Sequence, residues 1–326
     1  MTTLNPASVL FLANVDRIEQ RVAQANSQIS SGKRINVASD APDQIGSLLQ
    51  LRADLQRNTQ IQSNLTLAGT DASAADNALS SAVTLMDRAV QLATEGANAT
   101  QTADTRLSMA QEVQSLQQQM VSYSQTQVQG RYIFSGDQDG SPTYQVDLLP
   151  PPAPPDPNNP PDPNAPVNPA TLTGVDQLSS ASATSQVEDP AGGSFTVSKT
   201  AQEIFDDSNA DGSPAADNVF AALNSLRLGL LTNNQSAITN SITSLQAASG
   251  HLNDMLAFYG TVENRITNAT GFATQYGTQL QTEISNTEDA DITSAAMELT
   301  QSNTQLQAAF QMQGKMPTET LFNYLG

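Results

Sequence analysis

Six apolar residues near the start of the chain, Phe11, Val15, Ile18, Val22, Ala25 and Ile29, follow one another at alternating steps of four and three. That is the roughly 3.5-residue period of a coiled-coil seam, one stripe on a helix with polar residues around it. A helix of this kind cannot bury its stripe alone. A second stripe lies near the other end, from Ile292 to Phe310, where Ile292, Ala295/Ala296, Leu299, Leu306 and Ala309/Phe310 stand among Gln, Asn, Ser and Thr. This stripe lapses at Ser302-Asn303. The two ends are therefore expected to pair with each other and with other copies. The alternative is a pair of ordinary antiparallel core helices in a monomer. Against it, both segments lack flanking apolar positions, and the lapse suits a polar interface sealed only when neighbours arrive.

Between the ends the pattern is nested. Gly32 stands where a helix C-terminus needs it, with Lys33 and Arg34 beyond. Ser39 or Asp40, with Pro42, reads as the cap of a long helix whose stripe runs from Ile45 to about Glu95. Asp104 reads as the cap of a third helix that fades near Gly130. Arg131 to Phe134, Thr143 to Leu148 and Ser194 to Ser198 have strand character. Pro150 to Pro169 is dense in Pro and predicts an exposed, semi-stiff polyproline arm. Helical period returns at Asn218, and a second very long stripe runs from Ile238 to Ile284. Ser285 to Asp291 breaks the phase, and Asp289 or Asp291 can cap the last helix.

The expected fold is mainly α: a long-helix rod, with a coiled coil of N- and C-terminal segments and a small β-rich inserted domain at its tip. The divisions read as 1–39 plus 286–326 for the terminal coiled coil and 40–135 plus 215–285 for the long-helix bundle. The β-rich, Pro-rich insert is 136–214.

Composition narrows the function. A net charge of −19 over 326 residues offers nothing to replace counterions on a phosphate backbone, so no nucleic-acid partner is expected. It also disfavours anionic membranes, and no segment is apolar for long enough to span a bilayer. Cys is absent, which excludes disulfides and thiolate metal sites. The apolar patch Val9 to Leu12 has no basic residue before it and no small-residue cleavage site after it, so no Sec signal peptide is read.

Catalytic residue types are sparse. The single His, His251, has no nucleophile or carboxylate constellation in sequence and reads as a satisfied or solvent-facing side chain. Asp207, Asn209 and Asp211 with Gly212 match the first half of an EF-hand loop, but position twelve is Asn218 instead of a bidentate Glu. A plain Asx-rich turn is the better reading, and the three residues stand as a weak calcium candidate. No catalytic residue, cofactor site or other metal site is assigned, and no enzyme is expected.

Several motifs together resemble the flagellin family. They are Ile29-Ser30-Ser31-Gly32-Lys33-Arg34-Ile35-Asn36 with Ser39-Asp40-Ala41-Pro42, then Asp87-Arg88-Ala89-Val90-Gln91-Leu92-Ala93 and Gly130-Arg131-Tyr132-Ile133-Phe134-Ser135-Gly136. At the other end they are Glu288-Asp289-Ala290-Asp291, Leu299-Thr300-Gln301 and Leu321-Phe322-Asn323-Tyr324-Leu325. Pro42, the Gly130–Gly136 motif and the Asn-Tyr-Leu ending are closer to the family's hook-associated branch than to flagellins proper. The Pro-rich arm belongs to no family pattern.

The resemblance implies a structural subunit of the bacterial flagellum, outside the cell, joining hook to filament and exported through the flagellar type III route. It implies a homo-oligomer with a neighbouring hook-associated protein, flagellin, and an export chaperone on the C-terminal helix as partners. The assembly-interface residues are then Phe11, Val15, Ile18, Val22, Ala25, Ile29, Ile292, Leu299, Leu306, Phe310, Leu321 and Leu325. A main-filament flagellin is one alternative. Another is a surface-binding adhesin that displays its insert.

Overall fold

The computed structural model describes residues 6–148 and 172–314. The Pro150–Pro169 arm and the interface candidates Leu321 and Leu325 lie outside them. In chain order the helices are α1 (Pro6–Ser31), α2 (Ile45–Gly96), α3 (Ala103–Ser124), α4 (Ala201–Phe205), α5 (Val219–Leu231), α6 (Gln235–Glu288) and α7 (Ile292–Gly314). The strands are β1 (Gln127–Val128), β2 (Arg131–Tyr132), β3 (Tyr144–Val146), β4 (Val175–Gln177), β5 (Gln186–Glu188) and β6 (Ser194–Thr196). They form three antiparallel pairs, β1 with β2, β3 with β4 and β5 with β6.

Packing divides the chain into two compact units, Met1–Thr59 with Gln275–Gly326, and Gln60–Thr274. The boundaries fall inside α2 and α6, where the sequence patterning draws three parts with boundaries in the turns. The β pairs are in the same unit as the second half of α2, because their apolar residues share its core.

That core is built on small residues. Ala68, Ala72, Ala75, Ala82, Ala89 and Ala93 of α2 are all buried. With no side chain beyond Cβ they let the neighbouring helices approach closely, and Leu65, Leu79 and Met86 fill the space between. α3 adds Val113 and Met120, α5 adds Leu223 and Leu226, and α6 adds Leu245 and Leu252, all buried. Aromatic residues make up only 5% of the chain, yet five of them gather where the β pairs meet the helices. Phe134 stands edge-on to Phe205 at 5.7 Å and to Tyr259 at 6.3 Å, and Phe220 joins Tyr144 and Phe205 at 5.1 and 5.9 Å. Arg265 lies 4.1 Å over the Phe195 ring and ties β6 to α6.

Arg106, 5% exposed, closes one end of this unit. Its guanidinium donates to the Gly96 and Asn98 carbonyls after α2 (2.9 and 3.1 Å) and to the Asn233 side chain in the turn between α5 and α6. One cation thus ties the end of α2 to the turn between α5 and α6.

Three local expectations are corrected. Thr102, not Asp104, caps α3, its hydroxyl accepting the Thr105 N–H at 3.2 Å. α3 stops at Ser124, not near Gly130, because Gln129 and Gly130 adopt φ of 52° and 78° and turn the chain into the β1–β2 hairpin. Asp40 does not cap α2: its carboxylate accepts the Asn36 and Val37 N–H groups at 2.8 and 2.9 Å and closes the preceding loop.

Gly136 has φ of 54°, and a Cβ there would sit 2.4 Å from the Ala183 carbonyl oxygen, a backbone atom that cannot step aside. Gly136→Ala should therefore cost about 1–3 kcal/mol in a urea melt. Gly46→Ala, in a helix with nothing within 4 Å of the new methyl, should be neutral or stabilising by up to about 1 kcal/mol.

Candidate assembly site

The first unit is organised by two turns that lie side by side. α1 ends at Ser31, and Gly32 follows with φ of 72°, its N–H reaching the Gln28 carbonyl at 2.9 Å. This left-handed residue sends Lys33 against Asp289 in an antiparallel bridge. The Ala290 N–H donates to Gly32 O at 2.9 Å, and the Glu288 carbonyl accepts the Arg34 and Ile35 N–H groups at 2.6 and 3.3 Å. The Arg34 guanidinium donates to Thr287 O (2.6 Å) and Gln44 Oε1 (2.8 Å).

At the centre is the Glu288 side chain, 4% exposed. One carboxylate oxygen meets Lys33 Nζ and the other takes Arg52 Nη2 at 2.6 Å. Burial by itself would raise this carboxyl. The hydrogen bonds and charges of Lys33 and Arg52 outweigh it and hold Glu288 below the ordinary glutamate value. The clasp is asymmetric: the anion is buried, whereas the cations are 48% and 45% exposed. None of this pairing was read from the sequence. The signal available was the gathering of Lys33, Arg34 and Arg52 in a chain with only 13 basic residues.

The clasp sets α1 and α7 antiparallel, and Arg21 with Glu298 at 3.7 Å carries the register outward. On α1 the expected seam is present: Val15, Ile18 and Ala25 are buried, and Phe11, Val22 and Ile29 are half-buried. On α7 the expected seam is present at Ala295, Leu299, Leu306 and Ala309, and differs at Ser302, Ile292 and Phe310. Ala295 and Ser302 are buried, and Leu299, Leu306 and Ala309 are half-buried. These five residues step by four, three, four and three. The lapse at Ser302 is therefore corrected: a small residue occupies a regular seam position, 0% exposed. Ile292 and Phe310 lie beside the seam, 45% and 52% exposed.

The apolar surface left over is concentrated on these two helices. Val9, Leu10 and Leu12 on α1, and Ile292, Met297, Phe310 and Met312 on α7, are all 45% exposed or more. Ile292, Thr293, Ala296, Met297, Thr300 and Gln301 line an open groove of about 690 Å³ on α7. Asp291 caps that helix, accepting the Thr293 and Ser294 N–H groups at 2.9 and 3.2 Å, while Asp289 accepts the Ser285 hydroxyl.

The remaining candidates lie in the other unit. Asp211 Oδ1 accepts the Ser213 N–H (3.0 Å) and hydroxyl, the Asn209 amide donates to Ser213 Oγ and Pro214 O, and Asp207 Oδ1 accepts the Ser208 N–H. The three calcium candidates are thus engaged within their own loop, Asp211 in an Asx turn. His251 Nε2 lies 2.8 Å from the Glu203 carbonyl and Nδ1 lies 3.4 Å from Asp217, so the imidazole joins α4 to α6.

Known proteins share this architecture. The family model of the bacterial flagellin N-terminal helical region matches residues 3–139, and that of the C-terminal helical region matches 236–325. Flagellar hook-associated protein 3 of Escherichia coli K12 is 27% identical over 212 residues, 63% of this chain and 58% of that protein. The chain thus matches less than two-thirds of that relative's length. A flagellar hook-associated protein from Vibrio parahaemolyticus superimposes with a TM-score of 0.59 at 18% identity, over 77% of this chain and 100% of that one. Flagellar hook-associated protein 3 from Legionella pneumophila gives 0.56 at 12% identity, over 73% and 98%. At such identities these two structures speak for the fold alone.

Two outcomes test the site. Glu288→Gln should destabilise the chain by roughly 1–3 kcal/mol, between the exposed and buried limits for ion pairs. Glu288, Asp40 and Asp291 all titrate below their ordinary values. Asp40 is lowered by the Val37 and Asn36 N–H groups, and Asp291 by the Ser294 hydroxyl and N–H. Their stabilisation is complete above the unfolded carboxylate value of about 4 and fades as pH falls through the lowered ones. Hydrogen exchange in 32–35 and 287–290 should accelerate below about pH 4 in the wild type, and the Glu288→Gln chain should lose much of that dependence. Separately, the buried Ser302 Oγ has no hydrogen-bond partner among the described residues. Ser302→Ala should be neutral or stabilising by up to about 1 kcal/mol in a thermal melt.

Proposed function

Because this chain belongs to the bacterial flagellin family, we propose that it is a structural subunit of the flagellum seated at the junction of hook and filament. The observation that carries the assembly part is the surface of the α1–α7 pair. Seven large apolar side chains there are half-exposed. Burying what remains open would contribute on the order of 1 kcal/mol each. Association costs about 4–15 kcal/mol in lost freedom and ordering. One pairwise contact through part of this surface is therefore marginal, whereas several neighbours around each copy are sufficient. Such a surface suits a closed layer or tube of many copies better than a dimer.

The position at the junction is supported by the Escherichia coli relative, which is named as a hook-associated protein. In this reading the interface comprises Phe11, Val15, Ile18, Val22, Ala25, Ile29, Ile292, Leu299, Leu306 and Phe310, with Leu321 and Leu325 continuing it. The α1 members and Leu299 and Leu306 first hold the two helices together. Ile292 and Phe310 remain for neighbours. The partners are further copies, a second hook-associated protein, flagellin, and an export chaperone that covers the exposed side of α7 before assembly. Among the described residues no helix is long and apolar enough to cross a membrane, which suits a subunit passed through an export channel and built into an extracellular structure.

Purified chain added to hook ends is expected to stop as a short cap or ring in electron micrographs. Gold-labelled copies on an intact flagellum should lie at the boundary of hook and filament. Long filaments grown from seeds, or label spread along the filament, would sink the junction reading and favour a main-filament subunit.

A further inference from the structure

Arg227 is the only charged residue of α5, and it is buried, 4% exposed. Its Nε and Nη2 donate to a single oxygen, Asn224 Oδ1, at 3.1 and 2.8 Å. Among the described residues it has no other acceptor and no carboxylate partner. A guanidinium carries five N–H donors, so most of them, both on Nη1 included, are left without a protein acceptor. Burial is what acts on the group, and it pulls the guanidinium below the ordinary arginine value.

The other arginines are treated differently. The chain holds 32 acidic residues against 13 basic ones, so carboxylates are plentiful. Arg21, Arg52, Arg88, Arg131 and Arg265 each face one, although their side chains are all 38% exposed or more and water reaches them. Arg106, buried like Arg227, is surrounded by three oxygens from three residues. A cation buried without a counter-charge is strongly unfavourable. At Arg227, where the need is greatest, the described chain supplies one neutral oxygen.

The surroundings are polar. Asn224 Nδ2 donates to Leu172 O at 3.0 Å, and Gln117 Nε2 on α3 donates to Thr173 O at 2.7 Å. Gly174, with φ of 70°, passes between these two amides: a Cβ there would lie 2.4 Å from Gln117 Nε2 and 3.0 Å from Asn224 Oδ1. Gln117 Oε1 is buried and has no hydrogen-bond partner among the described residues. The cluster beneath the segment leading into β4 thus holds a cation without an anion and an acceptor without a donor. We infer that it is a binding site for a small oxyanion of the hydrogen-phosphate type, with charged oxygens on the Nη1–Nη2 end of Arg227 and a hydroxyl for Gln117. Two parallel N–H donors on that end match two oxygens of such an ion. With Arg227 96% covered, the ion arrives free, through opening of the Leu172–Gly174 segment, and not as part of a macromolecule. Bound there, it ties α5 to β4 and stiffens the β3–β4 pair.

The test compares full-length wild type with Arg227→Met, melted in inorganic phosphate, in sulfate and in chloride at equal ionic strength. Phosphate should raise the wild-type midpoint over chloride by roughly 2–4 °C and leave the variant unmoved. In chloride the variant should melt at or above the wild type, because an uncompensated buried cation has been replaced by an apolar side chain. Phosphate should also slow hydrogen exchange at 172–177 in the wild type, and equilibrium dialysis should retain one phosphate per wild-type chain. Equal phosphate shifts in both chains, or no shift in either, would overturn the site. So would a variant melting far below the wild type in chloride, since the guanidinium would then be satisfied within the chain. Dialysis that retains no phosphate overturns it whatever the variant does. A sulfate shift as large as the phosphate shift, confined to the wild type, would overturn the hydroxyl-bearing class of ligand.

Discussion

A single buried carboxylate holds the two ends of this chain together. Glu288 is the last residue of α6, and everything that joins the α1–α2 turn to the α6–α7 turn passes through it or its neighbours. Its side chain neutralises Lys33 and Arg52, and its carbonyl takes two N–H groups of the opposing turn. A buried anion is costly unless it is both paired and hydrogen-bonded, and here it is both. The antiparallel start this gives α1 and α7 decides which stripe each helix can hide. Each helix then buries one narrow seam and leaves its flanks open.

The two units solve the packing problem differently. The unit from Gln60 to Thr274 seals itself with alanines between long helices, an aromatic cluster under the β pairs, and Arg106 tying the end of α2 to the turn between α5 and α6. The unit of the chain ends has a narrow α1–α7 seam, a polar clasp, and the neighbouring ends of α2 and α6 with Leu48 and Leu280 buried. A two-helix pair has too little interior to bury every apolar side chain it carries. Its exposed Leu10, Met297, Phe310 and Met312 follow from that geometry.

Much of the fold was legible in the sequence because long helices repeat their pattern many times. The stripes ending at Glu95 and Ile284 matched α2 and α6 to within a few residues, and the α1 seam was read residue for residue. Short elements were not legible in the same way. β1, β4 and β5 are two or three residues each, too short to repeat a pattern, and β4 also owes its form to β3, a partner distant in sequence. Asp40 and Asp104 were sound local caps by residue type, but Thr102 reached the orphan N–H of α3 first and Asp40 turned to the Asn36 and Val37 N–H groups. The α7 seam was misread at Ser302 because hydrophobicity was taken as the mark of burial. Ser302 is small enough to sit in a seam position without being apolar.

The sequence by itself determined that this protein is built from long helices with seamed ends, since helical periodicity is written locally along each segment. It determined the family as well, through motifs such as Ser30 to Asn36 and Gly130 to Gly136. Only the tertiary structure decided that Ser302 belongs to the α7 seam and that Ile292 and Phe310 stand beside it. A seam is a relation between two helices, and its position depends on where the Glu288 clasp starts the pairing. That same start places Ile292 and Phe310 outside, where a neighbouring copy can reach them.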